Sequence, residues 1–132
     1  MAIVSVTRLH LRSLRFLPAF FWYSNRSARQ AKKTLGNLGV KLRKTNGLAF
    51  WTLTMWQNPK AIRAFVLASP HKEAMQKLPY WCDEAAFADW EQDSTQWPRW
   101  EEAAQRLGVS GRLARVLYPS ARQKAGKVVT TD

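Results

Sequence analysis

Leu48 to Trp56, LAFWTLTMW, is almost wholly composed of strand-forming residues. A run of that length and apolar character reads as a strand buried on both faces. On its N-terminal side, Val40 to Lys44 (VKLRK) alternates as a short strand, and Asn46-Gly47 between them favours a tight hairpin turn. On its C-terminal side, Asn58-Pro59 opens a helix with a cap and a proline at the first helical position. Ala61, Ile62, Phe65 and Val66, then Met75 and Leu78, supply the apolar face of that helix. Ser69-Pro70 interrupts it, with Ser69 expected to cap a second piece that begins near His71.

Outward from this centre, Ile3 to Leu11 (IVSVTRLHL) alternates as an N-terminal strand, with Val4, Val6, Arg8 and His10 on one face. From Ser13 to Leu35 the spacing becomes helical; Pro18 falls in the first turn and Gly36 is a natural stop. Ala85 to Glu91 reads as a fourth strand, and Trp100 to Leu107 as a short amphipathic helix. Arg112 to Tyr118 (RLARVLY) adds a further strand or an arm, and the tail after Pro119 looks frayed or linker-like.

The order β-α-β-β-α-β predicts an α+β, ferredoxin-like protomer with its helices on one sheet face. Residues 1–107 form that domain, and 108–132 a partly flexible C-terminal extension with helical character. The second sheet face needs a cover. A second copy would supply it, so a homodimer, a dimeric α/β barrel, is expected.

The 132 residues are 46% apolar, enough for one folded domain. A lone cysteine, Cys82, excludes an internal disulfide framework, and no Cys/His spacing suits zinc. The longest N-terminal apolar stretch, Leu14 to Tyr23, is broken by Arg15 and Pro18 and falls short of the roughly 20 residues of a membrane span. Without an export signal the expected compartment is the cytoplasm. The net charge of +12 is uneven: residues 1–72 hold 13 Lys and Arg and no acid, while 73–107 hold 3 basic and 8 acidic residues. Such a split either marks a face for nucleic acid or an anionic membrane, or is neutralised by the acidic surface within or between subunits.

Trp51–Trp56 (WTLTMW), Ser69–Met75 (SPHKEAM) and Trp81–Ala85 (WCDEA) carry a resemblance. Over residues 2–107 the chain resembles the dimeric α/β-barrel superfamily of antibiotic-biosynthesis and haem-degrading monooxygenases. It is most similar to a bacterial branch of unknown function with WTLT-x-W, SPH-x-x-AM and WCDEA, and distantly similar to spheroidene monooxygenase. The resemblance implies a monooxygenase-like protein that binds a hydrophobic, aromatic or polyene small molecule, with cofactor-free oxidation or haem dependence as the two chemistries. Haem-degrading members place a Trp and a ligand His where this chain has Phe65 and Met75, so the axial ligand does not carry over directly. His71, one turn earlier, or His10 would have to serve.

His71 is the candidate catalytic residue, as proton shuttle or haem ligand; the plainer reading is a helix-start histidine bonded to backbone. Trp22, Trp51, Phe65, Met75, Trp81 and Trp90 are candidate walls for a flat apolar ligand, although core packing also uses such side chains. Strand alternation sets Trp51 opposite Phe50 and Trp56, without saying which set faces the pocket. Arg8 and Arg43 are candidates for an anionic substrate group or a haem propionate, or are solvated. Asp83 and Glu84, read as loop carboxylates, are either an acid/base pair or salt-bridge partners. Cys82 reads as a buried structural thiol. No phosphate loop or dinucleotide fingerprint is present, so no nucleotide cofactor is expected.

Overall fold

A computed structural model describes residues 1–45 and 47–130. The Asn46 half of the expected Asn-Gly turn lies outside the described residues, while Gly47 has φ +68°. The elements are β1 (Ala2–Leu11), α1 (Leu17–Lys33), β2 (Asn37–Lys44), β3 (Ala49–Trp56), α2 (Pro59–Val66), α3 (His71–Trp81), β4 (Cys82–Gln92), α4 (Trp100–Ser110), β5 (Arg112–Leu113) and α5 (Ala121–Lys124). The strands form one antiparallel sheet in the order β2-β3-β1-β4-β5. This is the α+β ferredoxin-like arrangement, with β5 added at one edge.

Local chemistry sets the boundaries. Pro18 lies in the first turn of α1, where its missing N–H costs nothing. Asn58 caps α2, its Oδ1 accepting from the Ala61 N–H at 2.9 Å. Gly36 ends the α1 connection at φ +92°, and a Cβ there would lie 2.6 Å from Ala61 Cβ. The α2–α3 break is made differently from the sequence expectation. Ser69 caps nothing; the residue before α3 is Pro70, with no side-chain cap. Gln30 of α1 does the work instead, its Oε1 accepting from the His71 backbone N–H at 2.8 Å. Its Nε2 donates to the Phe65 and Ala68 carbonyls at 3.1 and 3.0 Å. A long-range glutamine thus satisfies an N–H at the start of α3, where a local serine was expected to cap, together with two carbonyls at the end of α2.

β2 starts three residues earlier than its alternation suggests, because a bulge between Asn37 and Gly39 shifts its register. Gly39 has φ +150°, and a Cβ on it would lie 2.6 Å from Trp97 Cζ2. β4 also starts earlier, at Cys82 rather than Ala85. Asp83 and Glu84 are therefore strand residues, not loop carboxylates.

Each sheet face has its own core. On one, Leu11, Phe16, Phe20, Leu78, Trp81 and Ala85 pack beneath α1 and α3, and Ile3, Trp56, Ala61 and Phe65 pack beneath α1 and α2. On the other, Val4, Val6, Leu53, Met55, Ala88 and Trp90 pack against Ala103 and Leu107 of α4. The chain's own α4 packs on this face, joined by Trp97, Trp100 and Val128. Trp51 belongs to this α4 face, whereas Trp56 faces the helices.

The tail after Pro119 is bonded into the fold rather than linker-like. Ser120 Oγ and Arg122 Nε donate to Glu84 Oε2 at 2.7 and 3.0 Å, and Gln123 Nε2 donates to the Ala114 carbonyl at 2.8 Å. Among the described residues, no helix is long and apolar enough to cross a membrane.

Candidate functional site

Between the sheet and the α1/α3 layer lies an open cleft of about 660 Å³. The strand register fixes its floor as rows of side chains that alternation turns to the helix side. One row runs Asp89, Ser5, Thr54 and Val40 across β4, β1, β3 and β2. The next runs Phe87, Thr7, Thr52 and Leu42, and a third runs Ala85, Leu9, Phe50 and Lys44. The floor is therefore polar at its centre, with hydroxyls on the two middle strands, and apolar at one end. Trp56 Nε1 donates to Thr54 Oγ1 at 2.9 Å, which orients one of those hydroxyls. Asp89 is the one carboxylate in the lining among the described residues.

The roof and end wall are aromatic. Phe20 stacks on Phe50 with ring centroids 4.7 Å apart, Phe21 meets Phe50 edge-on at 5.5 Å, and Tyr23 lies 5.6 Å from Trp81. Met75, Leu78 and Ser27 add to this surface, and the Ser27 hydroxyl is buried without a hydrogen-bond partner.

His71 enters the cleft at the first residue of α3, held by Gln30 through its backbone. Its ring lies 4.2 Å from that of Phe65, and its Nδ1 is buried without a partner. Burial lowers its pKa below the ordinary imidazole value, and a hydrogen bond to the Val66 backbone opposes that only in part. The ring is neutral at neutral pH. His10 lies elsewhere, its Nδ1 2.6 Å from Asp83 Oδ1. Of the two histidines, His71 alone borders the cleft, so it is the residue that would hold a haem iron there.

The structure brings four of the sequence candidates into this one cleft: His71, Phe65, Met75 and Trp81. Arg43 borders it from the β2 edge, although the alternate register points its guanidinium to Trp100, 5.8 Å away on the α4 side. Trp51 borders it only as part of β3, since its indole packs into the α4-side core. Three candidates lie outside it. Arg8 shares the α4 face with Val4 and Val6, where its Nη1 donates to Glu84 Oε1 at 2.9 Å in a buried ion pair. Trp90 is on that face too, under Arg106 at 5.1 Å. Trp22 is 55% exposed on the outside of α1, stacked under Arg26 at 4.5 Å. The reason is the same for Arg8 and Trp90: two-residue alternation turns them away from the helices.

Cys82 is buried, and desolvation, with the Asp83 charge adding, pushes its thiol up to about 12. It stays protonated and inert, as its sequence setting suggested. Glu84 is a structural carboxylate. Burial alone would raise its pKa, but hydrogen bonds from Ser120 and Arg8 and the charges of Arg8 and Arg122 outweigh burial and hold it below the usual value. The residues that sequence reasoning missed are Ser5, Thr7, Thr52, Thr54 and Asp89. Their signal was present: hydroxyls at every second position of two central strands, on the face the helices cover.

An antiparallel sheet with a helical layer over one face and a cleft beneath that layer is the arrangement of the antibiotic-biosynthesis-monooxygenase-like fold. SnoaB, a cofactor-independent oxygenase from Streptomyces nogalater, shares it at 14% identity and a TM-score of 0.59, over 71% of this chain and 95% of that one. A candidate antibiotic biosynthesis monooxygenase from Nitrosomonas europaea does so at 11% identity and TM-score 0.64, over 73% and 94%. Rv0793 from Mycobacterium tuberculosis does so at 9% and 0.65, over 73% and 100%. Within that fold the chain belongs to the family described as a domain of unknown function, DUF3291, which matches residues 16–112. No curated protein matches it.

Proposed function

We propose that this protein is a monooxygenase-like enzyme that takes a flat, apolar small molecule with a polar edge into the cleft and oxidises it without a bound cofactor. The observation that carries the reading is the cleft itself: aromatic walls around a floor whose centre is a row of strand hydroxyls and one carboxylate. Such a site excludes water from the ligand's faces while giving its polar edge hydrogen-bond partners. The fold, shared with an enzyme described as a cofactor-independent oxygenase, supports the same reading.

The chemistry needs a carbon acid and dioxygen. The reacting carbon is a CH2: it loses one proton, the carbanion passes electrons to dioxygen to form a peroxide on that carbon, and loss of the second C–H proton with O–O cleavage leaves a C=O and releases the other oxygen as water. His71, neutral at neutral pH, is the proton acceptor in this reading, after its ring turns Nδ1 to the cleft; Asp89 is the second basic group on the lining. Phe65, Met75 and Trp81 hold the apolar body of the substrate, and Ser5, Thr7, Thr52 and Thr54 bind its polar edge.

A panel of polycyclic phenols and anthrone-type carbon acids tests this, with tryptophan fluorescence for binding and an oxygen electrode for turnover. Saturable binding with oxygen uptake that falls at least about 100-fold in His71→Ala is expected. Absence of binding across the panel would overturn the cleft reading, and full turnover in His71→Ala would remove His71 from it. A haemin titration addresses the haem-dependent reading: a saturable Soret band lost in His71→Ala would replace the cofactor-free one.

A further inference from the structure

The outer surface of α1 has a composition that the cleft does not use. Trp22 is 55% exposed and Phe21 44%, although both lie on a helix of a folded domain. Every charged side chain on that helix is basic: Arg26, Arg29, Lys32 and Lys33. Arg15 precedes it, and Arg26 covers one face of the Trp22 ring at 4.5 Å. At 100° per residue, Trp22, Arg26, Arg29 and Lys33 lie along one outward stripe, with Phe21 beside it. Across the cleft mouth, β2 adds the 57% exposed Leu42 and Lys44, both on the helix side of the sheet. No carboxylate occurs anywhere in residues 1–72. The nearest one from α3, Glu73, accepts a hydrogen bond from the Tyr23 hydroxyl at 2.9 Å.

We infer that this stripe and the adjoining cleft rim dock on an anionic lipid bilayer, so that an apolar ligand passes between the lipid and the cleft without crossing water. An exposed Trp and Phe flanked by arginines is the composition of a helix that lies in a membrane interface: the rings gain from the acyl boundary and the guanidinium groups from the headgroup phosphates. A nucleic-acid face would use the cations and stack bases on the exposed rings, but gains nothing from the aliphatic Leu42. The surface is continuous with the cleft because Phe21, Leu42 and Lys44 belong to both. The delivery step rests on the proposed function; the docking does not.

Co-sedimentation with vesicles of phosphatidylcholine alone, or of phosphatidylcholine with phosphatidylglycerol, tests the docking. Binding to the anionic vesicles, weakened by added salt, is expected. Arg26→Ser and Arg29→Ser should each weaken it roughly fivefold at low salt, and Trp22→Ser roughly tenfold. All three side chains are exposed and outside the cleft lining, so circular dichroism should show the same fold in each variant. Equal binding to neutral vesicles, no binding to either, or unchanged binding in Trp22→Ser would overturn the inference. So would retention by single-stranded oligonucleotide with no retention by anionic vesicles, which would assign the stripe to nucleic acid. Ligand binding to the cleft, measured in the same preparations without vesicles, separates a failure of docking from a failure of the proposed function.

Discussion

Gln30 shows how one side chain sets the position of another that is 41 residues away. It holds the Phe65 and Ala68 carbonyls and the His71 N–H together, so it fixes where α3 begins and where the imidazole sits. Gln30→Ala leaves those three backbone groups to find water, and a cost of about 1–3 kcal/mol is expected, read by urea denaturation. In the proposed enzyme, the same variant should lower turnover with the cleft still binding ligand. His71 also couples stability to pH. Its folded pKa is depressed, so the unfolded chain takes up the proton first as pH falls. Stability is complete above the unfolded histidine value of about 6.5 and declines as pH falls from there through the lower folded value. Thermal melts between neutral and mildly acidic pH should show that slope in the wild type, and His71→Gln should flatten it.

At the scale of elements, β1, β4 and α5 meet in one ionic cluster. Glu84 is buried between Arg8, also buried, and the half-exposed Arg122, with Ser120 bonded to the same carboxylate. Truncating Arg8 leaves a buried carboxylate with the Ser120 hydroxyl and a single, solvent-screened cation, Arg122. Arg8→Ala should therefore cost about 3–5 kcal/mol, whereas Arg122→Ala should cost about 1 kcal/mol or less because that side chain is 52% exposed. Chemical denaturation of the two variants checks the ranking; equal losses would contradict it. The sign with pH follows from the lowered Glu84 pKa. Its contribution is complete above the unfolded glutamate value of about 4.3 and is lost as pH falls through the lower folded value. Proteolysis of the α5 segment should rise over that range.

For the whole molecule, α4 has the largest consequence. It packs on the sheet face away from α1 to α3, with Leu107 and Ala103 fully buried against Val4, Leu53 and Met55. Leu107→Ala should cost about 2–5 kcal/mol. Leu107→Asp, which cannot stay packed there, should expose the face and increase self-association. Light scattering after gel filtration reads both. If association is unchanged when α4 is displaced, the face is not adhesive and its apolar character serves folding alone.

Much of this protein was determined by its sequence alone. Period-two alternation in IVSVTRLHL and LAFWTLTMW, the Asn58-Pro59 start and the Ser69-Pro70 break suffice for the element order, and that order with right-handed packing leaves the ferredoxin-like sheet as its natural solution. Local signals reach a few residues, so they mark strands, caps and breaks. Which face of the sheet each side was to meet could not be read from them. Alternation states that Arg8 and Trp51 are opposite Thr7 and Phe50, but it assigns no helix to either side. Tertiary structure decided that by placing α1 to α3 over one face and α4 over the other. The same step removed Arg8 and Trp90 from the cleft and brought Asp89, Ser5 and Thr54 into one row. The cause is physical: a site assembled from β4, β1 and β3 exists only once strands distant in sequence are in register, and register is a property of the folded sheet.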